Sequence, residues 1–374
     1  MNTRILFLSD INSAHTRKWA ESLAKKGFEI GVFTLSPVKS DWFKAFSNIT
    51  VFSSTQVSSS DFTSSDVLKM GYLKEIRNLK NAILSFRPDI LHAHYATSYG
   101  LLGVLSRFRP FVISIWGSDV YDFPNKSFLH KMLFKFNLRM ADRLLSTSHV
   151  MARESAKYTN KKIIVTPFGI DMQVFKPMTV KSLFSVNDIV IGTIKVLDIK
   201  YGIDFLIRAF RILKDKQPHL SLKLLIVGTG EESDRLKQLA SQLNLEKDCV
   251  FTGFVNHAEV PMYHNMIDIA VFLSIYDSES FGVAVLEASA CEKPVIVSKV
   301  GGLPEVVEHG VSGFVVPPRD AEAAALAIEN LIMDPGLRNS MGKNGRERVL
   351  KLYDWDKNLS DIIEIYKELL RNAG

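Results

Sequence analysis

Runs of apolar residues alternate with amphipathic segments along the whole chain, and most of these runs are continuous rather than broken at every second position. Continuous hydrophobicity is typical of strands that are covered on both faces, and the amphipathic segments between them predict crossover helices. We therefore predict parallel sheets built from βαβ units. The predicted strands span residues 4–9, 29–35, 49–54, 89–95, 111–116, 143–148, 162–168, 189–194, 222–228, 249–255, 268–274, 294–299 and 313–318.

The pattern breaks around residues 176–188 and then restarts. This break, in a chain of 374 residues, predicts two α/β domains, 1–175 and 176–353, each a Rossmann-like doubly wound parallel sheet. Residues 354–374 are predicted to form a last helix that packs back on the first domain. Ligands of such sheets lie beyond the carboxyl ends of the strands, so we expect the two domains to face each other across a ligand-binding cleft.

Composition narrows the class of protein. The chain is 47% hydrophobic and 23% charged, which is typical of a folded globular protein. It has no run of 18 apolar residues, and its N-terminal apolar run is too short for a signal peptide. Cys249 and Cys291 both lie in apolar surroundings without metal-binding spacing, as expected of reduced thiols. These features predict a cytoplasmic location.

Charge is distributed unevenly between the two halves. The first 185 residues contain 25 Lys and Arg and 13 Asp and Glu, a net charge of +12. The remaining residues contain 21 Lys and Arg and 27 Asp and Glu, a net charge of −6. Segment 126–143 is a predicted basic amphipathic helix, with apolar residues on its other faces and cations at every fourth position: Lys131, Lys135, Arg139 and Arg143. Such a helix suits either an anionic membrane surface, as in a peripheral membrane protein, or a solvated face over a domain core. Nucleic acid is not predicted as a partner, because aromatic stacking platforms do not accompany the cations.

The segment ESFGVAVLE places Glu279 and Glu287 at the two ends of an apolar stretch. It follows a predicted strand, so we expect Glu279 in the loop and Glu287 inside the next helix. The helical neighbours of Glu287 are small and uncharged, and a partly buried carboxylate there requires a partner. A ligand with two adjacent hydroxyls, such as a ribose, would satisfy both oxygens.

Anion-binding features accompany these glutamates. The helix start at Phe281, Gly282 and Val283 offers free backbone amides. Lys195 and Lys200 flank another strand-to-helix loop and would serve a diphosphate as point charges. Glycine turns at Gly228 and at 301–302 also follow strands and would permit close approach of a ligand.

Together, the Glu279-x7-Glu287 element, the following segment 294–318, the two lysines and segment 165–177 resemble the retaining GT-B glycosyltransferases of family four, the group 1 glycosyl transferases. The resemblance covers nearly the whole chain and is strongest over residues 188–320. It implies sugar transfer from a nucleotide-sugar, such as a UDP- or GDP-sugar, to an acceptor hydroxyl. Neither a metal nor another cofactor is expected, because lysines would neutralise the leaving diphosphate.

The resemblance also implies roles for individual residues. Glu287 would bind the ribose, Glu279 would lie beside the donor sugar, and backbone at Phe254 and Val255 would meet the base. The amides of 281–283 would lie near sugar and phosphate. Many relatives have arginine at the position of Lys195. A lysine there keeps the positive charge but cannot bind a phosphate group through a bidentate pair of hydrogen bonds.

The first domain offers fewer and less specific residues. His92 and His94 alternate on one strand face, but no third ligand is spaced to form a zinc site with them. By resemblance His94 lies near the reacting sugar, although a structural histidine fits the sequence too. His15, Ser118 and Asp119 follow strands and are candidate acceptor contacts. For His15 a plain surface histidine, and for Asp119 a turn cap, are equally compatible with the sequence.

The resulting functional hypothesis is a hexosyltransferase-type retaining enzyme that acts on a lipid-linked or polysaccharide glycan in bacterial surface polysaccharide biosynthesis. Alternatives are a nucleotide-sugar epimerase or phosphorylase of similar fold and a sugar-nucleotide-binding module without catalysis. A hydrolase that uses the two glutamates as acid and nucleophile is a further alternative.

Overall fold

In the described residues, thirteen strands form two entirely parallel sheets of seven and six strands. The computed structural model describes residues 2–53 and 70–373; within these ranges it leaves the side chains of residues 70–74, Ser118 and Ala373 undescribed. The chain divides into two units. The first comprises Met1–Pro167 and Asn358–Gly374, and the second Phe168–Lys357.

The first unit contains the seven-stranded sheet, in the order β3-β2-β1-β4-β5-β6-β7. The residues of β1 and β4 are almost all fully buried, as expected for strands with helices on both faces. The strands are β1 Arg4–Leu8, β2 Glu29–Thr34, β3 Ile49–Ser53, β4 Ile90–His94, β5 Phe111–Ile115, β6 Arg143–Ser146 and β7 Ile163–Val165. The helices are α1 Ala14–Lys25, α2 Met70–Phe86, α3 Ser98–Ser106, α4 Ser118–Tyr121, α5 Phe128–Met140 and α6 His149–Ala156.

The second unit contains the six-stranded sheet, in the order β10-β9-β8-β11-β12-β13. Its strands are β8 Ile189–Ile194, β9 Leu222–Val227, β10 Cys249–Gly253, β11 Ile269–Phe272, β12 Val295–Ser298 and β13 Gly313–Val316. Its helices are α7 Ile203–Lys216, α8 Ser233–Gln242, α9 Val260–Met266, α10 Val283–Ala290, α11 Leu303–Val306, α12 Ala321–Met333 and α13 Pro335–Leu352. The last helix, α14 Trp355–Ala373, starts in this unit and ends in the first.

All thirteen predicted strands are confirmed, and only their ends move. The segment predicted as a strand over 249–255 ends at Gly253, where the backbone adopts a left-handed φ of +74° that a strand cannot continue through. In each sheet the order of strands reverses direction once. The reversal lies between β1 and β4 in the first sheet and between β8 and β11 in the second. Ligands of doubly wound sheets bind at these two places.

The chain passes from the first unit to the second between Pro167 and Phe168, eight residues before the predicted domain boundary. Segment 168–175 belongs to the second unit because its aromatic residues pack there. The ring of Phe168 lies 5.8 Å from that of Phe281, and the ring of Phe175 lies 6.1 Å from that of His264. The return passage falls between Lys357 and Asn358, inside α14.

From Asn358 onward, α14 packs on the first unit. Tyr366 is fully buried, and its hydroxyl lies 2.7 Å from Nδ1 of His92 on β4. Nε2 of the same histidine lies 2.8 Å from the hydroxyl of Ser114 on β5. His92 therefore links the C-terminal helix to two neighbouring strands. Within the described helices there is no apolar stretch that could cross a bilayer.

Candidate functional site

An ion pair lies at the reversal point of the second sheet. Lys195 directly follows β8, and Glu279 lies in the loop after β11, the strand next to β8. Nζ of Lys195 is 3.1 Å from Oε2 of Glu279, and the two side chains are 17% and 12% exposed. Two opposite charges are therefore held, largely shielded from solvent, where a doubly wound sheet binds its ligand.

Lys195 and Lys200, which the sequence placed in one strand-to-helix loop, both approach the ring of Tyr201, and their contact with a diphosphate stays a prediction. Nζ of Lys195 lies 4.4 Å and Nζ of Lys200 lies 4.8 Å from the centroid of the Tyr201 ring. Both distances are within the range of cation–π attraction. The aromatic ring thus brings the two cations near each other, and Lys195 is at the same time paired with Glu279, so these three charged groups together carry one net positive charge.

Gly228 positions the loop that carries Lys195. A Cβ at this glycine would lie 2.0 Å from the carbonyl oxygen of Lys195, and its φ of +131° is one that other residues rarely adopt. The backbone of Lys195 is also held from its other side, because its N–H donates to the carbonyl of Val227 at 3.0 Å. Gly228 contributes through this close backbone contact, and its donor-binding role stays a prediction.

Two glycines after β12 hold the loop of Glu279. Gly301 N–H donates to Oδ1 of Asp277, and Gly302 N–H donates to the carbonyl of Glu279, both at 2.9 Å. A Cβ at Gly301 would lie 2.2 Å from the Glu279 carbonyl oxygen, and one at Gly302 equally close to that of Ser280. The space that we expected a ligand to enter at these glycines is filled by the chain itself.

Glu287 lies on α10, and its residue is only 8% exposed. Its two carboxylate oxygens face two imidazoles: Nε2 of His257 is 3.7 Å from Oε1, and Nε2 of His264 is 3.7 Å from Oε2. Burial by itself raises the pKa of Glu287, but the two histidines outweigh burial and lower this pKa to about 2. The carboxylate is therefore ionised throughout the neutral range.

His264 is fully buried, and among the described residues neither of its ring nitrogens has a hydrogen-bond partner. Its distance of 3.7 Å from Glu287 is longer than a hydrogen bond. A buried polar group without a hydrogen-bond partner is costly, and the charged group beside this histidine is the carboxylate of Glu287. Its imidazole therefore faces the Glu287 carboxylate at a distance that allows charge attraction but no direct hydrogen bond.

The start of α10 differs in detail from the prediction. The helix begins at Val283 with Gly282 as its N-cap, two residues later than predicted, and no side chain caps it. The first-turn amides at Gly282 and Val283 are therefore not bonded to a capping side chain. The Phe281 ring is buried, 5.8 Å from the Phe168 ring and 5.7 Å from the Tyr353 ring, so any ligand contact of Phe281 is through its backbone.

Phe254 and Val255, the predicted base-binding residues, follow β10 at the same edge of the sheet. Phe254 is 75% exposed, which is unusual for so large an apolar side chain, and Val255 is half-buried. The exposure of Phe254 leaves its ring available for stacking. The contact of Phe254 and Val255 with the base of a nucleotide stays a prediction.

In the first unit, a hydrogen-bonded pair occupies the corresponding reversal point. His94 ends β4, Ser9 follows β1, and Nδ1 of His94 lies 2.9 Å from the Ser9 hydroxyl. The Trp116 ring stacks on His94 at 4.1 Å between centroids, and the His15 ring meets the same indole edge-on at 5.9 Å. Burial lowers the pKa of His94 well below its usual value, assisted by His92 and His15, so the imidazole is neutral at neutral pH.

Asp119 has a structural role in this unit. Its carboxylate accepts backbone N–H groups from Ala96 at 2.8 Å, Gly117 at 2.9 Å and Trp116 at 3.3 Å. Burial raises the pKa of Asp119 to about 6, in spite of these bonds, which lower it. Of the two interpretations of Asp119, these bonds favour the turn cap. The Ser118 side chain lies outside the described residues, and His15 is half-buried.

Metal-binding groups are not apparent in the part of the chain that the structure describes: no three His, Cys, Asp or Glu side chains gather there. His92, the neighbour of His94, has both ring nitrogens engaged, and burial lowers its pKa to about 3. The two histidines thus serve two different hydrogen-bond networks.

Comparison with known families adds to this geometry. A model described as "Glycosyl transferases group 1" matches residues 175–348, and one described as "Glycosyl transferase 4-like" matches residues 4–148. The two matches cover most of both units. The chain belongs to the group 1 glycosyltransferases.

Two relatives show how far this similarity extends in sequence. An uncharacterized glycosyltransferase of Methanocaldococcus jannaschii is 34% identical over 173 residues, which are 46% of this chain and 43% of that protein. The alignment thus spans less than half of the archaeal protein. N-acetyl-alpha-D-glucosaminyl L-malate synthase of Bacillus anthracis is 28% identical over 367 residues, 94% of this chain and 92% of the enzyme.

Solved structures of similar fold cover the full chain. Sucrose-phosphate synthase of Thermosynechococcus elongatus has a TM-score of 0.81 at 22% identity, covering 99% of this glycosyltransferase and 100% of that chain. HepE of Anabaena, solved in complex with UDP, has a TM-score of 0.78 at 20% identity, with 99% and 100% covered. At these identities the similarity concerns the fold, which is the GT-B arrangement of two Rossmann-like units.

The sequence did not reveal the histidines beside Glu287. No basic residue lies within one helical turn of Glu287, but the partners come from the segment before and inside α9, far away in sequence. The spacing in sequence gives no reliable signal, because His257 lies in a short 3-10 turn before α9 and only His264 lies on α9 itself. In this glycosyltransferase they are the candidate site residues that sequence reasoning missed.

Replacing Gly301 by alanine is expected to weaken nucleotide binding by at least roughly tenfold, because the new Cβ would push the backbone of Glu279 away from Lys195. Calorimetric titration with UDP or GDP measures the effect. Gly310→Ala is the matched control: Gly310 has a φ of +79° but no atom within 4 Å of a new Cβ, so we expect only a small loss of stability. Equal nucleotide affinities of the two variants would contradict this role of Gly301.

Proposed function

We propose that the protein is a retaining glycosyltransferase that moves a hexose from a nucleotide-sugar to an acceptor hydroxyl. One observation carries the proposal. The reversal point of the second sheet holds the Lys195–Glu279 ion pair, and the helix that follows the Glu279 loop holds a buried, ionised Glu287. A cation for phosphate, and a carboxylate that needs hydroxyl partners, together match the polar groups of a nucleotide-sugar.

In the proposed donor complex, Glu287 accepts hydrogen bonds from the two ribose hydroxyls, and the imidazoles of His257 and His264 keep its carboxylate ionised. Lys195 and Lys200 neutralise the diphosphate. The amides of Gly282 and Val283 at the start of α10 supply further donors to the phosphate or the sugar. Phe254 and Val255 contact the base.

The reaction breaks the bond between the anomeric carbon and the phosphate oxygen, and forms a bond from the same face of that carbon to the acceptor oxygen. The leaving diphosphate takes the acceptor proton. The protein contributes positioning and electrostatic stabilisation of the departing diphosphate, chiefly through Lys195 and Lys200. Because these cations supply the neutralising charge, we propose that transfer is independent of metal ions.

Two further residues are proposed to contact the transferred sugar. Glu279, already paired with Lys195, would lie beside it on the donor side. His94 is neutral, because burial lowers its pKa, and is held by Ser9 and Trp116. A neutral, fixed imidazole can hydrogen-bond a sugar hydroxyl without adding charge near the reacting carbon.

The donor is proposed to be a UDP- or GDP-sugar, and the similarity in fold to HepE, solved with UDP, supports UDP as the first candidate. The acceptor is proposed to be a lipid-linked or polysaccharide glycan of a bacterial surface polysaccharide. His15 and Ser118 remain the proposed acceptor contacts. The proposed location is the cytoplasm, because Cys249 and Cys291 are free thiols whose pKa values burial raises to about 12.

Calorimetry with UDP- and GDP-sugars in the presence of EDTA tests the donor site. Incubation with the bound donor and a panel of glycan and glycolipid acceptors, followed by NMR of the anomeric proton, tests the transfer. We expect binding without metal and a product with the donor's anomeric configuration. Failure of every donor to bind at millimolar concentration would contradict the proposal. A changed sugar on the nucleotide without acceptor would favour an epimerase, and hydrolysis of nucleotide-free glycosides would favour a hydrolase.

A further inference from the structure

Helix α5 of the first unit presents large apolar side chains to solvent. Phe128 is 73% exposed, Leu129 63%, Met132 53% and Phe136 45%. Elsewhere in the described part of this unit, Leu84 and Leu105 are the only large apolar residues with comparable exposure. Exposed apolar side chains scattered singly need no explanation, but four on one helix of thirteen residues mark a surface that another body covers.

Positively charged side chains follow the exposed apolar residues of α5 at regular intervals. Phe128, Met132 and Phe136 follow one another at intervals of four residues, and Lys131, Lys135 and Arg139 each lie three residues after one of them. Residues three and four apart are neighbours on a helix, so an apolar stripe and a cationic stripe run side by side. All three cations are exposed. We call these two stripes, with Leu129, the α5 face.

The segment that carries the α5 face has no acidic residue of its own. Segment 126–140 contains four cations, Lys126 being the fourth, and no acidic residue. The acid that follows the helix, Asp142, is paired with Arg109 at 2.6 Å. Arg143, which the sequence pattern assigned to the same helix, lies on β6 and is not part of the face.

The opposite side of the helix is anchored in the unit. Phe134 and Leu138 are fully buried, and the Asn137 amide donates to the carbonyls of Ala96 at 2.9 Å and Thr97 at 3.3 Å. The exposed residues are therefore not the result of a poorly packed helix. The anchor also connects α5 to the loop directly after His94, the residue proposed to contact the transferred sugar.

We propose that the α5 face docks the protein on an anionic lipid bilayer, with the apolar stripe in the interfacial region and the cationic stripe against the headgroups. Apolar and cationic side chains in adjacent stripes fit this partner, because a bilayer offers apolar depth below a negatively charged plane. If the proposed transferase function is correct, docking brings the loop after His94 near the membrane, where a lipid-linked acceptor would be found.

Flotation of the full chain with vesicles of phosphatidylcholine, with and without phosphatidylglycerol, tests the proposal. We expect binding to the anionic vesicles, weakened by high salt, and little binding to phosphatidylcholine alone. Each lysine near the surface contributes roughly a fivefold gain in partitioning, so K131Q/K135Q should reduce binding to anionic vesicles by roughly 25-fold. F128S/F136S should reduce it by at least roughly tenfold, because two inserted rings are lost.

Matched controls exist in the same unit. Leu84→Ser removes an equally exposed apolar side chain from α2, and K25Q/K26Q removes two exposed lysines at the end of α1; both should bind vesicles like the wild type. Equal binding of the wild type to neutral and anionic vesicles would overturn the proposal. So would loss of vesicle binding in the controls, or a dimer in solution that F128S/F136S dissociates. Calorimetry of nucleotide binding without vesicles tests the proposed donor site, which lies in the second unit. A protein that binds nucleotide but not vesicles would contradict only the docking proposal, and one that binds vesicles but not nucleotide would contradict only the proposed function.

Discussion

Replacing Glu287 by glutamine is expected to weaken the binding of UDP or GDP by roughly 10- to 100-fold, because one charged acceptor of a ribose hydroxyl becomes an amide donor. Glutamine keeps the volume of the buried side chain, so the packing of α10 should change little. Calorimetry with the nucleotide that the wild type binds measures the loss. Because the histidines lower the pKa of Glu287 to about 2, the wild type should keep this contribution to affinity from neutral to mildly acidic pH.

A ligand lacking the ribose hydroxyls separates this contact from general damage. The 2′,3′-dideoxy nucleotide should bind wild type and Glu287→Gln with nearly equal, weak affinity. Glu347→Gln, an exposed glutamate of α13 in the same unit, is the control and should bind both nucleotides like the wild type. If Glu287→Gln weakens the normal and the dideoxy nucleotide by the same factor, Glu287 does not hold the ribose.

Replacing Lys195 by alanine is expected to lower kcat by roughly 100- to 1000-fold, the usual loss when one preorganised group that stabilises developing charge is removed. The substitution also leaves Glu279, whose side chain is only 12% exposed, without its partner at 3.1 Å. Part of the loss will therefore come from repulsion between this carboxylate and the diphosphate. Steady-state kinetics with a saturating acceptor measures the change.

Restoring the charge should restore the rate. Lys195→Arg is expected to recover most of the wild-type kcat, because arginine places a cation at the same point and can grip a phosphate with two donors. Lys237→Ala, an exposed lysine of α8, should leave kcat unchanged. An alanine variant within a few-fold of the wild type, or an arginine variant no better than alanine, would remove Lys195 from the proposed chemistry.

The strands could be predicted because strands covered on both faces leave a continuous apolar run in the sequence. Both sheets of this protein consist of such strands, and even the short β7 was recognisable. The ends of strands and helices were harder to predict, because each end depends on the backbone conformation of a single residue. The start of α10 at Val283 rather than Phe281 is an example: Gly282 has a left-handed φ of +94°, so a right-handed helix cannot run through it.

Features of the site could be predicted where they depend on residues close in sequence. Contacts between residues far apart in sequence could not be predicted. The burial of Glu287 followed from its apolar helical neighbours, and the structure has it buried. The ion pair of Lys195 with Glu279 joins residues 84 positions apart and required the order of the strands. The histidines facing Glu287 required the packing of α9 against α10. Equally, the sequence showed that α5 is amphipathic but could not show which of its apolar residues remain exposed.

The passage of α14 between the units has a practical consequence for dissection of the protein. Neither unit can be isolated by a single cut, since a fragment ending at residue 167 would lack Tyr366 and with it the hydroxyl partner of the buried His92 Nδ1. A fragment starting at residue 168 would carry a C-terminal helix whose apolar side has lost its support. Joining residues 1–167 to 358–374 through a short flexible linker would keep both segments of the first unit in one fragment, because the Asn358 side-chain amide already lies 3.1 Å from the Pro167 carbonyl.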